Sequence, residues 1–298
     1  MKAETKNQFK GTLCLLTGTT IWGFAFIAQS VGMEKLGPFT FQAVRCGLAV
    51  VFLVLAAFVL DKCSLRESCR RWASKKLWTS GIVCGGALFV AASLQQIGLV
   101  YTDAGKAGFI TAMYIVLVPV LGLFLGKRPG ANVLASVALA VVGLYLLSCM
   151  GASGVNRGDV CLMGCALAFA VQINCIDRYA ASLDGLRLNC IQSLVVTVLS
   201  LPFMALTETV VLSDILGCWQ ALCFAGVLSM GVAYTLQIAG QKHLEPTAAS
   251  LLMSLESVFA ALGGWWLLHE RMTAWELTGC GLVFAAVVIS QLPSKKKQ

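Results

Sequence analysis

An all-helical protein threaded ten times through a membrane, as two inverted sets of five helices, is the fold this sequence predicts, and three observations predict it. Of the 298 residues, 58% are apolar and only 12% charged, whereas water-soluble chains carry about 25% charged residues. The mean hydropathy of +0.82 therefore belongs to a chain whose solvent is lipid. The apolar residues also come in runs separated by short polar punctuation, and a helix needs roughly 20 of them to cross the hydrocarbon core. Lastly, the second half of the chain repeats features of the first.

The runs lie at 11–31, 38–60, 77–100, 104–126, 131–150, 158–177, 186–207, 219–241, 247–268 and 273–291. Lys2, Lys6 and Lys10 precede the first, which is too long for the apolar core of a secretory signal and is closed by no small-x-small site, so it reads as an uncleaved helix. Pro38, Pro246 and Thr273 stand where helices start, Pro129 and Pro293 follow helix ends, and Gly37, Gly130, Gly151, Gly185 and Gly217 lie in turns. Pro119 and Pro202 fall inside spans, where each frees a carbonyl that a neighbouring helix must satisfy. A barrel is excluded, because the runs are about twice as long as a barrel strand and lack its alternation. The expected organisation is a tail at 1–10, a first five-helix repeat at 11–150, a linker at 151–157, a second repeat at 158–291 and a basic tail at 292–298.

Lys and Arg in short loops mark the cytoplasmic side. With the N-terminus inside, 17 of the 22 basic residues fall on the side of the two tails, among them Arg70, Arg71, Lys75, Lys76, Lys127 and Lys242. Four (Lys35, Lys106, Arg157 and Arg271) fall on the other, and Arg45 lies within a span. The reading is a plasma (inner) membrane protein with both termini cytoplasmic. The net charge of +8 is then a topology signal beside anionic lipid, and it gives no reason to expect a nucleic-acid partner. The expected partners are a small-molecule substrate and membrane lipid, and the assembly a monomer or homodimer.

Thirteen cysteines contain no CxxC pair and lie mostly within spans, where a thiol packs as a small apolar group. His243 and His269 fall at opposite faces, so neither a metal site nor a cofactor is expected. The sequence carries no HExxH, GxSxG or phosphate-cradling loop, and nothing that resembles a channel filter. No catalytic residue is assigned, and an enzyme is not expected.

The repeat appears when residues 11–31 are laid over 158–178, an offset of 147: Gly11 meets Gly158, Cys14 meets Cys161, Leu15 meets Leu162 and Trp22 meets Phe169. Further on, at an offset of 143, Leu125-Gly126-Lys127-Arg128 overlies Leu268-His269-Glu270-Arg271. Five helices per copy is an odd number, so the second copy enters the membrane in the opposite sense. Secondary transporters are often built this way, with the site at the midplane between the copies.

Ile21-Trp22-Gly23-Phe24, Gly37-Pro38-Phe39-Thr40-Phe41 with Arg45, Ala104-Gly105-Lys106-Ala107-Gly108-Phe109, Thr247-Ala248-Ala249-Ser250-Leu251 and Ser254-Leu255-Glu256-Ser257-Val258-Phe259-Ala260-Ala261 lead to Leu267-Leu268-His269-Glu270-Arg271. In these the chain resembles the EamA-type proteins of the drug/metabolite transporter superfamily over essentially its whole length. The resemblance implies a ten-helix carrier of small metabolites, of which amino-acid or drug export is one form, with four helices of each half around a central cavity. Two departures stand out: Ser257 replaces the proline that usually follows the glutamate, which removes an expected kink, and Lys127 stands where a glutamate is common. A lipid or lipid-linked head-group flippase on the same fold, or a membrane sensor or scaffold that transports nothing, are the alternatives.

Polar residues inside the spans form the candidate site. Arg45, counted from the outer face, and Glu256, counted from the inner, reach similar depths, and a charge in mid-span costs about 2.5–3.5 kcal/mol even on the lenient scale. Two readings stay open. Either they neutralise each other, or Arg45 meets an anionic substrate group while Glu256 binds a cation such as a coupling proton. Trp22, Tyr114, Gln192 and Tyr234 complete the substrate-binding set. Gln29, Gln42, Gln95 and Gln96 lie toward outer helix ends and Gln172, Asn174, Asn189, Gln237 and Gln241 toward inner ones, which suggests an outer and an inner vestibule, or simply amides meeting headgroups and water. Small residues at Ala104-Gly108-Ala112 and Gly122-Gly126 are the expected points of close helix contact.

Overall fold

The computed structural model describes residues 2–61, 65–102, 104–127, 129–148, 155–180, 182–267 and 272–291. Most of the expected linker at 151–157, the tail at 292–298, and the loop cations Lys62, Arg128 and Arg271 lie outside them. The first half runs through α1 (Lys2–Met33), α2 (Pro38–Leu60), α3 (Leu65–Trp72), α4 (Lys75–Tyr101), α5 (Ala104–Ala112), α6 (Tyr114–Phe124) and α7 (Ala131–Ser148). The second runs through α8 (Arg157–Ala180), α9 (Gly185–Thr207), α10 (Leu212–Gly217), α11 (Trp219–Cys223), a π-helical stretch (Phe224–Ala233), α12 (Tyr234–Gln241), α13 (Pro246–Met253), α14 (Leu255–Leu267) and α15 (Ala274–Gln291). Among the described residues eight segments are long and apolar enough to cross a membrane, and two shorter apolar helices, Ala131–Leu147 and Ala274–Ser290, bring the number to ten. Residues 2–10 are not a separate tail: they continue α1, because Lys-Ala-Glu-Thr-Lys-Asn-Gln holds strong helix formers and no breaker.

Polarity is arranged for lipid. Val59, Phe124 and Leu206 are more than four-fifths exposed, while Gln42, Gln96, Gln172 and Gln192 are fully enclosed. Such an inverted surface is stable where the surrounding medium is apolar and interior polar groups bond to one another.

The helices pair between halves rather than within them: α4 along α8, α2 along α9, α7 along α15 and α1 along α14. The closest crossings occur at glycines. A Cβ on Gly11 would stand 2.9 Å from the Gly240 carbonyl oxygen, and one on Gly98 3.2 Å from that of Gly158. Gly11 and Gly158 are the counterparts at offset 147, so the α1–α12 and α4–α8 crossings are symmetry mates. The expected small-residue points are looser: a Cβ on Gly108 would meet only the Ser257 hydroxyl at 3.5 Å.

The α2–α9 pair is clamped at both ends. Pro38 opens α2 and Gly37 offers no side-chain cap, so the first-turn N–H groups lack an acceptor of their own. Glu208 of the other half supplies it, accepting from the Phe39 N–H at 2.7 Å, the Thr40 N–H at 2.7 Å and the Thr40 hydroxyl at 2.6 Å. At the opposite face Asp61, at the end of α2, pairs with Arg187 in the first turn of α9. Thr40 and Arg187 are related by 147 residues, as are Asp61 and Glu208, so one clamp occurs twice with different chemistry.

Two outcomes follow from this packing. Substituting Gly279, whose added Cβ would lie 2.6 Å from the Leu147 backbone nitrogen, by valine will force α7 and α15 apart; Gly281, with nothing within 4 Å, accepts the same change. Overpacking of this kind costs about 1–3 kcal/mol, so Gly279→Val lowers the detergent melting temperature and Gly281→Val leaves it in place. The second outcome concerns acid. The Ser68 hydroxyl, then the Arg187 and Arg71 guanidinium groups, hold the Asp61 carboxyl below its ordinary 3.8 against the opposing effect of burial. A lowered carboxylate stabilises the fold above its ordinary value and loses that contribution as pH falls through the lowered one. Hydrogen exchange in 65–72 will therefore accelerate as pH drops below 3.8, beyond the intrinsic pH effect, and Asp61→Asn will remove the excess.

Candidate substrate site

A cavity lies where the halves meet. Its walls come from α1 (Trp22, Phe26, Gln29), α2 (Arg45), α4 (Gln95), α6 (Tyr114), α8 (Phe169, Ile173), the π-helical stretch (Ser229, Met230), α12 (Tyr234, Gln237), α13 (Met253) and α14 (Glu256). Trp22 with Phe169, and Phe26 with Ile173, are counterparts at offset 147. The first helix of each half thus presents the same two positions to the cavity.

Arg45 and Glu256 line this one cavity with different bonding partners. The Arg45 Nη1 donates to the Gln29 Oε1 at 2.6 Å, Gln96 donates to the same oxygen, and the guanidinium lies 5.5 Å from the Phe41 ring centroid. Glu256 accepts from the Tyr114 hydroxyl at 3.1 Å. Among the described residues no ion pair joins the two charges. Burial is nearly complete, at 3% exposure for Arg45 and 7% for Glu256.

Both charged walls depend on broken helices. The fourth span of each half is discontinuous: α5 gives way to α6 at Met113, and α13 to α14 at Ser254. At each break the ladder tightens to three-residue bonds, Val116 N–H to Met113 O at 3.0 Å and Ser257 N–H to Ser254 O at 3.3 Å. The absence of a proline after Glu256 therefore does not straighten this span. The Ser250 and Ser254 hydroxyls bond back to the Thr247 and Leu251 carbonyls at 2.9 and 2.8 Å, the kind of back-bonding that bends helices. Tyr114 and Glu256 lie just past their breaks, 142 residues apart, and the same offset relates Gln95 to Gln237 across the cavity. Their hydrogen bond thus joins equivalent points of the two repeats.

The amides divide into three groups. Gln29, Gln95 and Gln237 face the central cavity. Gln42, Gln96, Gln172, Asn189 and Gln192 are buried in the bundle, so the simple picture of two amide-walled vestibules gives way to a bonded network. Gln42 donates to Ser93 and Ser200 at 3.0 and 3.1 Å. Gln172 links Gln192 and Gln237, each at 3.4 Å. Asn189 donates to the Met230 and Gly231 carbonyls at 2.8 and 3.0 Å, satisfying oxygens of the π-helical stretch. Asn174 and Gln241 instead line a wider cavity, with an empty volume of about 1090 Å³, at the end marked by Lys127, Lys242 and His243. Of the aromatic candidates, Trp22 and Tyr234 meet edge to face at 4.9 Å, and Tyr114 approaches Phe169 at 6.3 Å.

A central polar cavity between inverted repeats, with broken helices at its walls, is a carrier's architecture. The sequence profile of the EamA-like transporter family matches residues 9–149 and again 156–291. The chain belongs to that family. This EamA-like protein is a membrane transporter and not an enzyme. An uncharacterized transporter of Archaeoglobus fulgidus is 31% identical to it over 293 residues, covering 97% of this chain and 88% of that one. The uncharacterized transporter YoaV of Bacillus subtilis is 23% identical over 299 residues, covering 97% and 99%. The threonine/homoserine exporter RhtA of Escherichia coli K12 is 30% identical over 186 residues, 59% of this chain and 60% of that protein. A solved crystal structure, 18% identical, superposes with a TM-score of 0.79 over 94% of this chain and 96% of its own, which shows the shared fold.

Removing the hydroxyl that joins the two breaks leaves a buried carboxylate without its described donor, at a cost of about 1–3 kcal/mol. Tyr114→Phe will therefore lower the melting temperature of the purified transporter by several degrees while leaving its helical content unchanged, as circular dichroism will report.

Proposed function

We propose that this EamA-like transporter carries small zwitterionic metabolites of the amino-acid type across the plasma membrane by alternating access. The observation that carries the reading is the pair of opposite charges, Arg45 and Glu256, lining one cavity without being bonded to each other. A carboxylate needs donors, and Arg45 offers them together with the Trp22 Nε1, which has no partner within the protein. An ammonium group needs acceptors, and Glu256 offers them together with the unpartnered Gln237 Oε1. Trp22, Tyr234, Phe169 and Met230 form the apolar wall for the remainder of the substrate. RhtA, a threonine/homoserine exporter, is a relative whose substrates have this chemistry.

The same geometry makes Glu256 the candidate for a coupling proton. An ammonium and a proton compete for one carboxylate, so release of one favours arrival of the other. With the tails in the cytoplasm, as the loop charges argue, the wider cavity opens toward the cytoplasm, the side from which an exporter loads.

The test is transport of radiolabelled threonine by reconstituted protein. A charge-assisted hydrogen bond contributes about 1.5–3 kcal/mol, so Arg45→Lys and Glu256→Gln, expressed and folded normally, should each lower transport efficiency by roughly 10- to 150-fold. Unchanged flux in both variants overturns the assignment.

A further inference from the structure

The wider cavity contains acceptors that the proposed central site does not use. Asn174 and Gln241 both line it, at 4% and 3% exposure. Their amide orientations follow from their bonds. The Asn174 Nδ2 donates to the Ala170 carbonyl at 2.9 Å and the Val118 carbonyl at 3.4 Å, and the Gln241 Nε2 donates to the Ile173 carbonyl at 3.3 Å. With both NH₂ groups committed to backbone oxygens, each amide is left with its carbonyl oxygen, and neither oxygen has a donor among the described residues. Buried acceptors without donors are costly and call for an explanation.

They form part of a series. Asp177 lies three residues beyond Asn174 on α8, and Gln237 four residues before Gln241 on α12, so each pair shares a helix face about one turn apart. Asp177 lines the wider cavity with Asn174 and Gln241; Gln237, whose Oε1 is also unpartnered, lines the central cavity with Glu256. The wider cavity offers Asp177 and two amide carbonyls as acceptors, beside the cations Lys127 and Lys242, and the central cavity offers Gln237 and Glu256. Lys127 pairs with Asp177 and Lys242 donates to the Leu183 carbonyl, so the buried groups left open in the wider cavity are the two amide oxygens. A group made only of donors fits them, and a primary ammonium carries three N–H donors and no acceptor. A carboxylate has no N–H to offer the two carbonyls, and a quaternary ammonium, which has charge and no N–H, could not bond to them either.

We propose that Asn174 and Gln241 form a second binding site, for the primary ammonium group of a substrate or simple amine, in the wider cavity ahead of the central site. Asp177 supplies counter-charge at its mouth, shared with Lys127, and Gln237 passes the group to Glu256. Only that last step rests on the reading of Glu256 as the central ammonium site.

Thr247, which lines the same cavity, gives a reporter. In Thr247→Cys protein reconstituted in nanodiscs, labelling at position 247 by an impermeant maleimide is followed by peptide mass spectrometry, with n-propylammonium chloride, tetramethylammonium chloride and sodium propionate as probes. Propylammonium should slow labelling roughly tenfold at ten times its dissociation constant, and the other two should not. Adding Asn174→Leu and Gln241→Leu should abolish the protection. Adding Glu256→Gln should leave it intact, even if threonine transport then shows the central assignment to be right or wrong. No protection by propylammonium, equal protection by tetramethylammonium, or protection that persists without the two amides overturns the proposal. The comparison of probes on the Thr247→Cys protein decides the matter even where the amide variants fail to fold.

Discussion

A bilayer offers no hydrogen bonds, so the polar groups that hold this bundle together find their partners inside it. In this transporter the partner is repeatedly in the other half. Glu208 caps α2, Asp61 holds the start of α9, and the Tyr114 hydroxyl reaches Glu256. The glycine crossings and the helix pairings follow the same rule. The two repeats are therefore interleaved, each completing the polar satisfaction of the other, and neither is a body that could swing away whole. On both sides of the cavity the backbone ladder changes register, at Met113 and at Ser254.

Inverted repeats give each position an equivalent in the other half, and several of these pairs have diverged in chemistry. Arg45 faces the role of Gln192, Thr40 that of Arg187, and Tyr114 that of Glu256. A symmetric cavity lined by identical groups would suit a symmetric ligand. A substrate with a positive and a negative end needs donors on one wall and acceptors on the other. On the proposed reading, divergence at paired positions supplies them, while the pairs that stay alike, Trp22 with Phe169 and Phe26 with Ile173, are apolar wall residues.

The fold was legible because its signals are additive: run length, helix-end prolines and loop charge each sum over many residues. The common cavity of Arg45 and Glu256 was legible from depth alone, since counting along a helix converts position into distance. Other features depended on partners far along the chain. Glu208 reads as an ordinary loop acid until the bare N-terminus of α2 is brought against it. The π-helical stretch at 224–233 reads as a regular apolar span, and only the Asn189 contacts to its carbonyls distinguish it. The break at Ser254 did have a local signal, the serines at 250 and 254, which the missing proline at 257 obscured. Which amides would face the cavities was not legible, because a buried glutamine and a cavity-lining one differ only in the neighbour they meet.

The way the central charges are held matters for a carrier more than their presence. Had Arg45 and Glu256 been paired, a substrate would have to break a buried ion pair, whose disruption costs about 3–5 kcal/mol, before gaining anything. Each charge is held instead by a neutral partner, Gln29 for the arginine and Tyr114 for the glutamate. A bond between a charge and a neutral group contributes about 1.5–3 kcal/mol and is exchanged for another of similar strength when a ligand arrives. On the proposed reading, exchange of this kind keeps the charges from standing bare in an empty cavity and also keeps the substrate from being held too firmly to leave. A carrier has to pass through both conditions in every cycle, and neutral partners beside opposite charges make them close in free energy.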